Sequence, residues 1–164
     1  MSYLIIVIVV MLVLSPVFWI MPSPAQKRQM QLRQQAMTLG FIVKITDLPQ
    51  SHRAKVRKEK VEQGVAYRLP WEVKRKHPQG GEYLLMRDTA ETPSGLDNSN
   101  FSRQMHLLMQ DTLLQLPNSV VALEYAAPGL ALYWREHGDV ELISSLYQQL
   151  IELRRAVLDL ESSI

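Results

Sequence analysis

No cysteine occurs in the 164 residues. Disulfides, thiolate zinc sites, cysteine nucleophiles and a lipidated cysteine are therefore all excluded. Glycine is scarce, at seven positions, and neither a GxxxxGK[ST] nor a GxGxxG phosphate loop is among them. The four histidines, His52, His77, His106 and His137, show no HxxxH or related ligand spacing. Serine, histidine and the acids are scattered, without a recognisable triad. Nothing in these patterns implies a metal, a cofactor or catalysis, so the expectation is a non-enzymatic protein with no cofactor.

Charge is missing altogether from Tyr3 to Met21, a run of apolar residues broken only by Ser15 and Pro16. At about 1.5 Å per residue these positions span roughly 28 Å, close to the hydrocarbon thickness of a bilayer. No Lys or Arg precedes the run, unlike the start of a secretory signal, and Met21-Pro22-Ser23-Pro24 is a poor cleavage site. The run therefore predicts an uncleaved transmembrane anchor over residues 1–22. Lys27, Arg28 and Arg33 follow it closely. Positive charge is retained on the cytoplasmic side, which puts the N-terminus outside and the body of the chain in the cytoplasm. Tyr3 and Trp19 sit near the two ends, where amphipathic rings favour the interface.

The small net charge of +2 hides a division. Pro22 to His77 carries 13 Lys and Arg against 4 Asp and Glu, a net of +9; Pro78 to Ile164 carries 5 against 12, a net of −7. Lys27, Arg28, Arg33, Arg53, Lys55, Arg57, Lys58, Lys60, Lys74, Arg75 and Lys76 form the candidate anionic-surface set. Anionic lipid is the nearest partner for them, at about 1 kcal/mol per cation close to the surface. Plain solvation is the competing reading. RNA recognition would need stacking aromatics interleaved with the charges, and only Tyr67 and Trp71 lie nearby.

Ser23, Pro24 and Gln26 form a capping-box sequence that starts a basic helix over 23–40, with Gly40 as its stop. That helix either lies along the lipid head groups or serves as a solvated linker. From residue 41 the period becomes two. Phe41, Val43 and Ile45 alternate with Ile42, Lys44 and Thr46, and Val65, Tyr67, Leu69 and Trp71 alternate again. A turn at His77-Pro78-Gln79-Gly80-Gly81 leads into Glu82 to Arg87, which predicts a hairpin between this strand and the one before it. Residues 50–63 carry no clear period.

A helix capped near Ser99 follows, then two strands, Val120 to Tyr125 and Leu130 to Arg135, and a long helix from Asp139 to Glu161. On that last helix Ile143, Leu146, Leu150, Leu153, Val157 and Leu160 repeat as a coiled-coil seam, a candidate for a partner helix or a homo-oligomer. Val140, Tyr147, Ile151 and Leu158 widen the stripe, which favours packing on a sheet. The expected fold is α+β: one transmembrane helix, then a two-layer domain over 41–164 with a mainly antiparallel sheet and helices on one face.

The uncharged span followed by Pro22, Pro24 and Gln26-Lys27-Arg28, a short helix and a strand resembles YajC, the accessory subunit of the bacterial preprotein translocase. It resembles more closely the proteobacterial inner-membrane proteins labelled YajC-like. The likeness to YajC covers Met1 to about Ile45 and carries over no individual functional residue. It implies an accessory or scaffold subunit of a bacterial inner-membrane complex that docks another membrane protein. The alternative is a membrane-anchored binder or sensor of anionic lipid or another anionic ligand through the basic half.

Overall fold

A computed structural model describes residues 3, 5–11, 23–73, 80–87 and 99–163. Residues 5–11 are helical and exposed. Among the described residues no helix is long and apolar enough to cross a membrane, and most of the Tyr3–Met21 span lies outside them. The described elements run α1 (Pro24–Thr38), β1 (Ile42–Asp47), α2 (His52–Val56), β2 (Gln63–Pro70), β3 (Tyr83–Met86), α3 (Asn100–Gln115), β4 (Val120–Ala126), β5 (Gly129–Trp134) and α4 (Val140–Ser162).

Local chemistry sets the ends of α1. The Ser23 hydroxyl accepts from the Gln26 N–H at 3.3 Å, and the Gln26 side chain accepts from the Ser23 N–H at 2.9 Å. Both are otherwise orphan donors of a first turn. At the other end Gly40 adopts φ +99, a left-handed conformation. It lets the Gly40 and Phe41 N–H groups return to the Met37 and Ala36 carbonyls. α2 occupies part of the stretch that has no sequence period, capped by the Ser51 hydroxyl on the Ala54 N–H.

The five strands form one antiparallel sheet in the order β1-β2-β5-β4-β3. The hairpin expected between 65–71 and 82–87 does not form: β5 and β4 lie between β2 and β3. The long β2 pairs with β5, matching Val65, Tyr67 and Leu69 to Trp134, Leu132 and Leu130. Those large apolar cross-strand pairs outweigh what the four-residue β3 offers. Gly129 admits this pairing, because a Cβ there would meet the Leu69 carbonyl oxygen at 2.2 Å. Sequence proximity predicted the wrong partner.

Residues opposite each other in an antiparallel pair share a face. Val43, Tyr67, Leu132, Leu123 and Leu85 therefore lie on one side of the sheet, with Val65, Leu69, Leu130, Tyr125, Tyr83 and Trp134. The long helices α1, α3 and α4 pack into the same core. α4 contacts both α1 and α3, while α1 lies against β1 and α3 against β3 and β4. Phe41 ties these parts together, edge-on to Tyr67 at 5.9 Å and to Tyr147 of α4 at 5.5 Å. Arg87 closes the far end of α3. Its guanidinium donates to the Leu113 and Leu116 carbonyls at the helix C-terminus, and to that of Pro117 just beyond it, which also accepts from the Val120 N–H.

The structure buries Ile143, Leu146, Leu150, Leu153 and Val157 in the core, with Leu160 half-buried against it. The seam of α4 faces the chain's own sheet. Leu150→Ala is expected to cost about 2–5 kcal/mol. The mutant should melt at a lower temperature that does not vary with protein concentration; a melt matching wild type would remove Leu150 from the core.

Candidate interaction surfaces

α1 is joined to the domain by more than apolar contact. Leu32 and Ala36 are fully buried, and two of the helix's cations reach the segment after β5. The Arg33 guanidinium holds Glu136 through two bonds, 2.8 Å from Nε and 2.6 Å from Nη2, and the Tyr67 hydroxyl donates to the same carboxylate at 2.7 Å. Glu136 is 3% exposed in its side chain and sits at φ +55. The Glu136 carboxylate raises the pKa of Arg33. Burial, and then the hydrogen bond to Glu136, hold the Tyr67 phenol far above its ordinary range. Arg28 pairs with Asp139 and donates to the Gly138 carbonyl at 2.8 Å, in a much more exposed setting.

These bonds place Arg28 and Arg33 in intramolecular pairs. The remaining members of the basic set are distributed differently. Lys27 is exposed on α1, and Arg53, Lys55, Arg57, Lys58 and Lys60 are exposed on and after α2. Arg57 lies 3.7 Å from Glu59. Lys74, Arg75 and Lys76 fall outside the described residues.

The other face of the sheet carries none of the three long helices. Two rows of opposed residues cross it. One is Ile42, Arg68, Ala131, Glu124 and Leu84; the next is Lys44, Ala66, Tyr133, Ala122 and Met86. Ala66, Ala122 and Ala131 form a buried floor, with longer polar side chains beside them. Arg68 pairs with Glu124 at 2.6 Å, and the Tyr133 hydroxyl donates to the same oxygen at 3.2 Å. The Arg68 Nε is buried and makes no hydrogen bond.

A cleft of about 130 Å³ opens here, lined by Ile42, Lys44, Thr46, Ala66, Arg68 and Tyr133. A second cleft, of about 270 Å³, is lined by Ser51, Glu59, Lys60, Met86, Val121 and Arg135 among others. The basic loop between β1 and β2 therefore reaches across one end of the sheet. The surface so formed has an apolar margin, cations at Lys44 and Lys60, and two internally paired charges, Arg68 with Glu124 and Arg135 with Glu62. Nothing in it resembles a nucleophile with its base. Among the described residues no group of His, Asp and Glu could hold a metal ion.

Sequence reasoning missed Arg68, Glu124, Tyr133 and Glu136. A signal existed for the first three. Each has the parity opposite to the apolar residues of its own strand, which marks the outer face. Glu136 gave none, because its role depends on a partner 103 residues away. No family model, curated protein or solved structure matches the chain.

Two outcomes test the α1 junction. Arg33→Ala leaves a buried carboxylate without its cation and is expected to cost about 3 kcal/mol. Arg28→Ala, at an exposed pair, is expected to cost less than about 1 kcal/mol. Equal losses in chemical denaturation would contradict the difference in burial. Alkali provides a second measurement. Burial raises Tyr83 to about 12 and also raises Tyr67 and Tyr133. Their contribution to stability is complete below the ordinary tyrosine pKa of about 10 and is lost as pH rises through their folded values. Ultraviolet titration should show these three ionising late, together with unfolding. Ionisation of every tyrosine near pH 10 in a folded chain would refute it.

Proposed function

We propose that the chain is a non-enzymatic accessory or scaffold subunit of a bacterial inner-membrane complex. In this reading the apolar N-terminal run anchors it as a single-pass protein, N-terminus outside. The α+β domain then lies in the cytoplasm and docks another membrane protein. The observation that carries the docking role is the sheet face left bare by the three long helices, with its alanine floor and its cleft at Lys44 and Arg68.

The rigid junction supports the membrane-proximal part of the reading. Pro24 begins a helix fixed to the domain, so the domain starts within a few residues of the apolar run. The resemblance of the first residues to YajC points the same way. Binding of anionic lipid is the second reading, favoured by the exposed Lys27, Lys55, Lys58 and Lys60. Arg28 and Arg33, held by Asp139 and Glu136, add little to it.

Co-purification of the full chain in mild detergent separates the two. A stoichiometric protein partner, lost in Lys44→Glu without a change in melting temperature, is the expected result. A chain that purifies alone with retained anionic phospholipid would favour the second reading. For topology, a cytoplasmic-type reporter fused after Ile164 should be active. A periplasmic reporter active there would reverse the assigned orientation. Vesicle binding is best measured on a fragment beginning at Ser23, since cutting at Phe41 removes Leu32 and Ala36 from the core. Binding that depends on Lys55, Lys58 and Lys60 should fall as salt shortens the screening length to about 8 Å at physiological ionic strength.

A further inference from the structure

The outer edge of β1 is paired with no described strand, since β1 ends the sheet and its only neighbour is β2. Natural edge strands are usually blunted by shortness, a proline, a bulge or several charges. β3, at the opposite edge, is four residues long. β1 is six residues long and pairs with β2 in unbroken register. It contains no proline or glycine, and it exposes Ile42 at 57% and Ile45 at 60%.

The direction of its free hydrogen-bonding groups follows from one bond. The Leu48 N–H donates to the Glu62 carbonyl at 2.9 Å, and these two positions continue the β1–β2 register. Hydrogen-bonded and non-hydrogen-bonded pairs alternate along an antiparallel ladder. Residues 42, 44, 46 and 48 therefore turn their backbone groups toward β2. Val43, Ile45 and Asp47 turn their N–H and C=O groups outward.

We infer that β1 pairs antiparallel with β1 of a second copy of this chain, joining the two sheets into one. A two-fold axis perpendicular to the sheet keeps the helices of both copies on one side, and it sets opposed residues to the same parity. With Ile45 facing Ile45 of the second copy, the outward N–H and C=O groups of Ile45 bond to each other. Val43 then faces Asp47, and Lys44 faces Thr46. Shifting the axis to Lys44 would set two ammonium groups opposite each other, which is destabilising. The edge is thus self-complementary in a register centred on Ile45. This pairing does not use the bare sheet face and does not depend on the docking role given to it.

The full chain in mild detergent tests this by sedimentation. Wild type should be a dimer. Ile45→Pro removes an N–H that bonds no described residue of the same copy, so it should leave the β1–β2 ladder intact and yield a monomer with an unchanged circular dichroism spectrum. Ile45→Lys should do the same and serves if the proline variant fails to fold. Because the chain has no cysteine of its own, Ile45→Cys introduces a single thiol at the axis. Mild oxidation should link it to a dimer, while Val56→Cys, at an exposed position on α2, should remain unlinked. A monomeric wild type overturns the inference, as does a dimer that persists in both Ile45→Lys and Ile45→Pro. Equal linking at positions 45 and 56 also overturns it. So does a monomeric wild type that loses a protein partner in Ile45→Lys, which would assign the edge to a foreign strand.

Discussion

One buried carboxylate ties the first helix of the domain to the segment that follows its last strand. Glu136 lies just after β5 in a left-handed conformation, with its oxygens occupied by Arg33 of α1 and Tyr67 of β2. A carboxylate withdrawn from water is unfavourable unless cations and donors surround it, and here they come from two separate parts of the sequence, α1 and β2. The arrangement makes α1 a member of the domain rather than a flexible stem. With α1 fixed, Leu32 and Ala36 cap the core beside β1, and Phe41 is delivered onto Tyr67 and Tyr147. Each of these contacts presupposes the Glu136 junction or reinforces it.

That junction changes the meaning of the charge division. A net of +9 over Pro22–His77 looks like a field aimed at a membrane. Part of it is instead neutralised within the molecule by the acidic second half: Arg28 with Asp139, Arg33 with Glu136, and Arg68 with Glu124. The reverse also occurs, with Arg135 and Arg154 of the second half meeting Glu62 and Glu72 of the first. The asymmetry is therefore partly an adhesive between halves. Among the described residues, what remains directed outward is concentrated on the loop around α2.

Local signals were legible in the sequence, while long-range ones were not. The capping box at Ser23 and Gln26, the stop at Gly40 and the apolar stripe of α4 are all written within a few residues, and the structure has them where the pattern puts them. The α+β class and the antiparallel sheet follow from the same periodicities. Strand pairing does not, because a period of two says which face a residue takes but not which strand lies beside it. β2 was assigned to its sequence neighbour β3, whereas the fit of Gly129 against Leu69 brings in β5. The bare face was half legible: Lys44, Arg68 and Tyr133 have the outward parity, but their convergence needed the strand order. The pairing of Arg33 was hidden for the same reason, since Glu136 is 103 residues distant.

The seam between β2 and β5 also sets how late in synthesis the sheet can close. β1 and β2 belong to the first half of the chain, β3, β4 and β5 to the second, and the two groups meet only along Tyr67 and Leu132 and their neighbours. These partners are about 65 positions apart, and a ribosome adding about 5–20 residues per second needs roughly 3–13 s to produce the second after the first. Through that interval β1 and β2 exist as an isolated pair, which is marginal in water by itself. In the topology proposed above, the N-terminal run would reach the membrane first and hold this unfinished pair away from other nascent chains. Completion then waits on the last third of the sequence, where β5, Glu136 and α4 emerge in succession and close the sheet, the junction and the core within a single stretch of synthesis.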